Sequence, residues 1–86
     1  MEVLIPKAEK IRNLISEITF TKSEEIDYDT LLFDQGIFDS LGFLTLITRI
    51  NDDYRIEVSD DELSQENFES INAIVAFIES KKESDL

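Results

Sequence analysis

The chain has 86 residues, of which 42% are hydrophobic, so we expect one compact domain over residues 1–86 rather than a disordered tail. It has no cysteine and no histidine, which excludes a disulfide framework, a thiolate metal site, a cysteine nucleophile and a histidine general base. Its 8 basic and 20 acidic residues give a formal net charge of −12. This charge excludes nucleic acid and anionic membranes as partners and favours basic partner surfaces, although it also serves simply to keep a small domain soluble.

The first helix is predicted over residues 6–18. Pro6 suits a first helical turn, and the apolar residues that follow lie on one helical face; these are Ala8, Ile11, Leu14, Ile15 and Ile18. The apolar stretch at residues 1–5 is too short for a signal peptide or a membrane span. We therefore expect a cytoplasmic protein that does not insert into a membrane.

A long connection follows, over residues 20–39. Connections of this length in small domains usually carry function or a short turn of their own. Leu31, Leu32 and Phe33 are predicted to hold it against the core, and Gly36 to supply a flexible bend.

The second helix is predicted over residues 40–54. Steps of 100° place the core-facing residues in one arc; they are Phe43, Leu46, Ile47, Ile50 and Tyr54. Leu41 falls instead on the polar side, in one stripe with Thr45, Thr48 and Asp52. The projection therefore predicts an exposed leucine directly after Ser40.

A short third helix is predicted over residues 60–65. Ser59 and Glu62 have the spacing of a capping box, with a hydroxyl residue followed by a carboxylate three positions later. Phe68 is predicted to fill the core from the loop that follows.

The fourth helix is predicted over residues 70–81, with Ser70 as its cap. The last residues, from Lys81 onward, are expected to be frayed. Together these elements predict an all-α, four-helix fold with a long loop between the first two helices and a short third helix.

Three interpretations of Ser40 follow from the residues themselves. It is a helix cap, a role that Asp39 fills equally well; or a hydrolytic nucleophile; or the attachment point of a phosphate-linked group. The nucleophile is disfavoured because Phe38-Asp39-Ser40-Leu41-Gly42 lacks the first glycine of a nucleophile elbow and the chain has no histidine base. An attached phosphate suits a helix N-terminus, and its chemistry would come from another enzyme, so the chain itself is not expected to be an enzyme.

Clusters of acidic side chains do not predict a metal site. From Asp27, the sixth position is Leu32 where a calcium loop needs glycine. Solvated surface is the better interpretation of the clusters.

A segment of seven residues resembles the acyl carrier protein family. It is Gly36-Ile37-Phe38-Asp39-Ser40-Leu41-Gly42, followed by an amphipathic helix. The resemblance implies a four-helix bundle of acyl-carrier type in which Ser40 receives 4′-phosphopantetheine from coenzyme A. Asp39 would help the transferase dock or bind its metal ion. Partner enzymes would recognise Leu41 and the stripe of Thr45, Thr48 and Asp52.

Within that family the chain is most similar to the D-alanyl carrier proteins. It shares their Leu-Phe-Asp-x-Gly approach at residues 32–36, their Ile-x-Val link at 56–58, and an aromatic residue at Phe68. It differs in having Leu41 where those carriers usually have methionine. It also lacks the acidic residues that fatty acid carriers place along the start of the second helix.

The resemblance implies a discrete, monomeric acyl or aminoacyl carrier that holds its cargo as a thioester. The expected partners are a phosphopantetheinyl transferase, an acyl- or aminoacyl-activating ligase, and a downstream acyltransferase or synthase. The alternative is an unmodified acidic helical interaction module that has lost the cofactor. Two interpretations are also open for a set of five apolar residues. Either they line a space for an acyl chain, or they form ordinary core; they are Phe43, Leu46, Ile47, Leu63 and Phe68.

Overall fold

The computed structural model describes residues 6–84, with side chains through Lys82. Residues 1–5, for which the sequence predicts neither a signal peptide nor a membrane span, lie outside the described residues, as do residues 85 and 86. The four helices are α1 (Lys7–Thr19), α2 (Ser40–Tyr54), α3 (Gln65–Phe68) and α4 (Ile71–Ser84). Two short 3₁₀ turns, Ser23–Glu25 and Asp60–Glu62, lie in the connections.

Between residues 6 and 84 the fold contains no strand, so the predicted all-α, four-helix architecture is confirmed. α1 packs against α4 and α2, and α3 packs against α4. The helical periodicity of the sequence places one apolar face of each long helix in the core. The fully buried core side chains are Ile11, Ile15, Ile26, Leu32, Leu46, Ile50, Phe68, Ile71, Ile74 and Ile78. None of the helices in this part of the chain is long and apolar enough to cross a membrane.

The long connection is fastened to the rest of the bundle by backbone hydrogen bonds. The Leu32 N–H donates to the Glu69 carbonyl at 2.8 Å, and the Asn72 N–H donates to the Tyr28 carbonyl at 3.0 Å. Leu32 is fully buried, as predicted, but Leu31 is 44% exposed and does not hold the loop. The connection also carries a turn of its own, at Ser23–Glu25.

A polar contact joins the same connection to α1. The Tyr28 hydroxyl donates to the Glu9 carboxylate at 2.8 Å, and Arg12 forms an ion pair with the same carboxylate. The hydrogen bonds from Arg12 and then Tyr28 lower the pKa of Glu9, and the bond to Glu9 raises the pKa of Tyr28. The connection is therefore anchored to both α1 and the α3–α4 junction.

The third helix lies further along the chain than predicted. Residues 60–62 form only a 3₁₀ turn, and the helix proper is Gln65–Phe68. Phe68 is the last residue of α3 rather than part of a loop, and its burial fixes where this four-residue helix must lie. The capping contact itself exists, because the Glu62 carboxylate accepts from the Ser59 N–H at 3.0 Å.

The fourth helix also differs from its predicted end. It continues to Ser84 rather than ending at residue 81, so Lys81 and Lys82 occupy its last turn instead of a frayed tail. Lys81 is held there by an ion pair with Glu62 at 2.9 Å. At the other end of the helix, the Ser70 hydroxyl accepts from the Ala73 N–H at 3.1 Å.

Five of the six phenylalanines form one connected aromatic cluster. Successive rings lie 5.1–6.2 Å apart between centroids, which is the range of favourable edge-to-face and tilted contacts. The members of the aromatic cluster are Phe33, Phe38, Phe43, Phe68 and Phe77. The cluster joins α2 to α3 and α4, and it packs the region where the sequence suggested an acyl-chain space. The ordinary-core interpretation of Phe43 and Phe68 therefore describes the structure.

Candidate functional site

Ser40 is the first residue of α2, and its side chain is exposed. Asp39 caps the helix, because its carboxylate accepts from the Gly42 N–H at 2.7 Å. Within residues 6–84, neither the hydroxyl nor the backbone N–H of Ser40 has a hydrogen-bond partner. The serine is thus not used to hold the fold together.

The segment before Ser40 is tied down. Gly36 turns the chain with a φ of +73°, a left-handed conformation that glycine adopts without strain. The N–H groups of Ile37 and Phe38 both donate to the Leu32 carbonyl, at 2.9 and 3.1 Å. Phe38 is buried within the aromatic cluster. Ser40 therefore stands at the surface two residues after a fixed and buried anchor.

The local electrostatics suit an anion bonded to this hydroxyl. A 15-residue helix places the positive end of its dipole at Ser40. Of the N–H groups in the first turn, that of Gly42 is satisfied by Asp39, and those of Ser40 and Leu41 remain for a ligand. The residues present fit a phosphodiester on Ser40.

Leu41 and the stripe below it lie at the surface. Leu41 is 74% exposed, as the helical projection predicted, and Thr45, Thr48 and Asp52 are exposed as well. The two threonine hydroxyls donate to the carbonyls four residues earlier, Thr45 to Leu41 at 2.9 Å and Thr48 to Leu44 at 3.1 Å. The stripe therefore has few uncommitted polar groups, and Asp52 is its only charge.

Two exposed apolar residues near Ser40 were missed in the sequence. Leu44 is 55% exposed and lies one helical turn after Ser40. The helical projection of α2 could have predicted this exposure. Phe20 is 95% exposed and follows the end of α1 in a left-handed conformation, with a φ of 58°. No sequence signal marks Phe20, because an aromatic residue after a helix is normally expected to pack.

A surface groove runs between the end of α1 and the start of α2. Its volume is about 450 Å³, within the range of small-molecule sites. Its apolar walls are Ile18, Phe20, Ile37 and Leu41. Gly42 lines it too, and a Cβ there would lie 3.9 Å from the Ile18 side chain, so the two helix ends are close.

Comparison with known proteins places the chain in a family. The sequence pattern described as "Phosphopantetheine attachment site" matches residues 9–78. A D-alanyl carrier protein of Lactococcus lactis subsp. lactis is 29% identical over 75 residues, covering 87% of this chain and 95% of that protein. One of Streptococcus suis is 35% identical over 69 residues, covering 79% and 85%. An acyl carrier protein of Solidesulfovibrio magneticus is 28% identical over 75 residues, covering 87% and 94%.

These relatives are named as carriers rather than catalysts, and the match spans nearly the whole described bundle. The covalent cofactor that the match implies is 4′-phosphopantetheine. Three observations agree with this match: the fold is an all-helical bundle, a serine without a hydrogen-bond partner among residues 6–84 begins a helix, and the pattern covers most of the chain. The chain therefore belongs to the family of phosphopantetheine-binding carrier proteins.

Proposed function

We propose that the chain is a discrete acyl or aminoacyl carrier of the cytoplasm, with 4′-phosphopantetheine attached to the Ser40 hydroxyl. The observation that carries this proposal is that the hydroxyl is exposed at the start of α2 while Asp39 performs the capping. A serine needed as a cap would lose its structural role on modification. Ser40 has no such role to lose.

When bound, the cofactor supplies a thiol that holds the cargo as a thioester, which a chain without cysteine does not supply itself. The protein's own contribution is positional. Ser40 would hold the phosphate end, the N–H groups of Ser40 and Leu41 would be available to it, and the buried Phe38 fixes the segment that leads to Ser40.

The packing of the aromatic cluster favours a small cargo over a long acyl chain. The bundle interior between α2, α3 and α4 is filled by ring contacts from Phe43 through Phe68 to Phe77, so a long acyl chain would have to displace packed rings. An aminoacyl group needs no such shelter. The names of the D-alanyl carrier relatives support the same choice.

The proposed partners are those that such a cycle requires. A phosphopantetheinyl transferase attaches the arm, a ligase activates and loads the aminoacyl or acyl group, and an acyltransferase or synthase removes it. The stripe on α2, with Leu41 at its head, is the proposed contact surface for them, because a partner that receives the arm must approach the surface around Ser40.

Intact-mass measurement tests the attachment. The purified chain is incubated with coenzyme A and a phosphopantetheinyl transferase, and a mass increase of one phosphopantetheine is expected. Ser40→Ala should abolish the increase, whereas Ser59→Ala, a change at another exposed serine, should leave it intact. No increase in the wild-type chain would favour the unmodified interaction module, and an increase in Ser40→Ala would move the attachment elsewhere.

A further inference from the structure

Phe20 occupies a position that the fold does not explain. The other five phenylalanines share the aromatic cluster, whereas the Phe20 side chain is 95% exposed. Its backbone is left-handed, which glycine or asparagine adopts more readily at a helix end. The left-handed backbone is an ordinary helix ending, since Arg55 ends α2 in the same way. The exposed ring is what the fold leaves unexplained, and it points to a ligand that covers it.

The groove beside Phe20 begins at the attachment site. Asp39 and Leu41, the residues on either side of Ser40, both line it. Its far wall is Ile18 and Phe20, and its floor includes the backbone of Gly36 and Gly42. An apolar groove in a chain of net charge −12 is therefore continuous with the point from which the cofactor extends.

We propose that this groove, walled by Phe20 and Leu41, binds the pantetheine part of the arm between transfers. The proposal rests on the attachment proposed above. The arm bears two methyl groups close to its phosphate, followed by two amides and a thiol. The apolar walls suit the methyl groups, and Thr19 and Thr45 line the same groove. Their hydroxyls already donate to the carbonyls of Ile15 and Leu41, so towards the arm they can act only as acceptors for its amide N–H groups.

Tethering makes weak binding sufficient. A group attached beside the groove is present at an effective concentration in the millimolar range, so a millimolar intrinsic affinity already holds it for about half of the time. The alternative resting place, between α2 and α3, is filled by the aromatic cluster. Because such binding is weak and reversible, the arm leaves the groove readily, and only the released arm is exposed to a thiol reagent or to the next enzyme.

Two measurements on the holo-protein test this, after intact mass has verified that the arm is attached. In NMR spectra, attachment should shift the methyl signals of Ile18 and Ile37 in addition to those of residues next to Ser40. The second measurement is the rate at which a thiol reagent modifies the arm, which is the only thiol because the chain has no cysteine.

Phe20→Asn is the test variant, because asparagine keeps the left-handed backbone and removes the ring. It should remove the Ile18 and Ile37 shifts and raise the thiol reaction rate about 2- to 10-fold, as expected if the arm is bound for half to nine-tenths of the time. Leu44→Ser is the matched control, since Leu44 is an exposed leucine on α2 outside the groove. It should change neither readout.

Three outcomes would overturn the inference. If the arm attaches but Phe20→Asn changes neither readout, the groove does not hold the arm, and the carrier function stands. If Phe20→Asn leaves both unchanged but slows transfer of the arm onto Ser40, Phe20 is instead a contact for the transferase. If no mass is added to the wild-type chain, both this inference and the proposed function fail.

Discussion

The carboxylate of Asp39 accepts a 2.7 Å hydrogen bond from the Gly42 N–H, so the residue before Ser40, and not Ser40, caps α2. The sequence alone allows either Asp39 or Ser40 to cap the helix. In the structure the two residues have separate roles. Asp39 stabilises the helix start, and the Ser40 hydroxyl is left for chemistry. This division of roles gives the first prediction.

Asp39→Ala should lower the free energy of unfolding by about 0.5–2 kcal/mol, the usual cost of losing a helix cap. Asp39→Asn should retain most of that stability, because asparagine caps equally well. Denaturant unfolding of both variants measures the difference. The Asn variant also isolates the charge: if it is modified by the transferase as fast as the wild type, the carboxylate has no part in docking or metal binding.

Leu41 and Leu46 form a matched pair on α2. Leu41 is 74% exposed and Leu46 is fully buried, so the same truncation has different consequences. Leu41→Ala should change the free energy of unfolding by no more than about 0.5 kcal/mol. Leu46→Ala should lower it by about 2–5 kcal/mol through loss of burial and creation of a cavity. Thermal or denaturant unfolding distinguishes them.

Leu41 should matter for partner enzymes even though it contributes little to stability. Leu41→Ala, although folded, should slow arm transfer or loading, because it removes an apolar contact from the surface around Ser40. Arg49→Ala, a change at an exposed residue of α2 outside the stripe, serves as the control. Wild-type turnover by every partner in the Leu41 variant would remove Leu41 from the proposed contact surface.

Phe68 and Phe20 provide a second matched comparison. Phe68 is fully buried and bridges Phe43 and Phe77, with centroids 5.3 and 5.1 Å away. Phe68→Ala should lower the free energy of unfolding by about 3–5 kcal/mol, which is a large share of the stability of a domain this small. Phe20→Asn should not lower the free energy of unfolding. Because asparagine adopts the left-handed backbone more easily than phenylalanine, the free energy of unfolding should rise by up to about 1 kcal/mol. Equal losses would contradict the exposure of Phe20.

The long helices were predictable because their periodicity is strong and each carries a clear start signal. The third helix was misplaced because Ser59 and Glu62 carry a local capping signal that here begins only a 3₁₀ turn. The position of α3 depends instead on where Phe68 reaches the core, a tertiary constraint that local pattern does not contain. Leu31 was assigned to the core for a similar reason, since composition alone does not say which of three successive apolar residues turns inward.

Part of the candidate site could also be predicted from the sequence. The projection of α2 predicted that Leu41 is exposed, and the motif singled out Ser40. Phe20 and the groove were not predictable, because they arise where the end of α1 meets the start of α2, and that juxtaposition exists only in the folded chain. The capping choice between Asp39 and Ser40 likewise depended on backbone geometry.

Glu62 links two elements that are distant in sequence. Its carboxylate accepts from the Ser59 N–H at 3.0 Å and from Lys81 Nζ at 2.9 Å. The bond from Ser59 is the larger cause and the bond from Lys81 the second, and together they lower the pKa of Glu62 below its usual value. A carboxylate with a lowered pKa stabilises the fold most when it is ionised in both the folded and unfolded states.

Glu62→Gln should therefore destabilise the protein at neutral pH, and the difference from wild type should shrink as the pH falls below about 4, where the unfolded state takes up a proton that the folded state resists. By the time the pH has passed the lowered pKa, wild-type Glu62 is neutral and the two proteins should unfold alike. Denaturant unfolding at pH 7 and at several values below 4 measures this convergence. Glu66→Gln is the control, since Glu66 is exposed on α3 and has no hydrogen-bond partner among residues 6–84. A gap between wild type and Glu62→Gln that stays constant with pH would show that the loss comes from packing rather than from the carboxylate's charge.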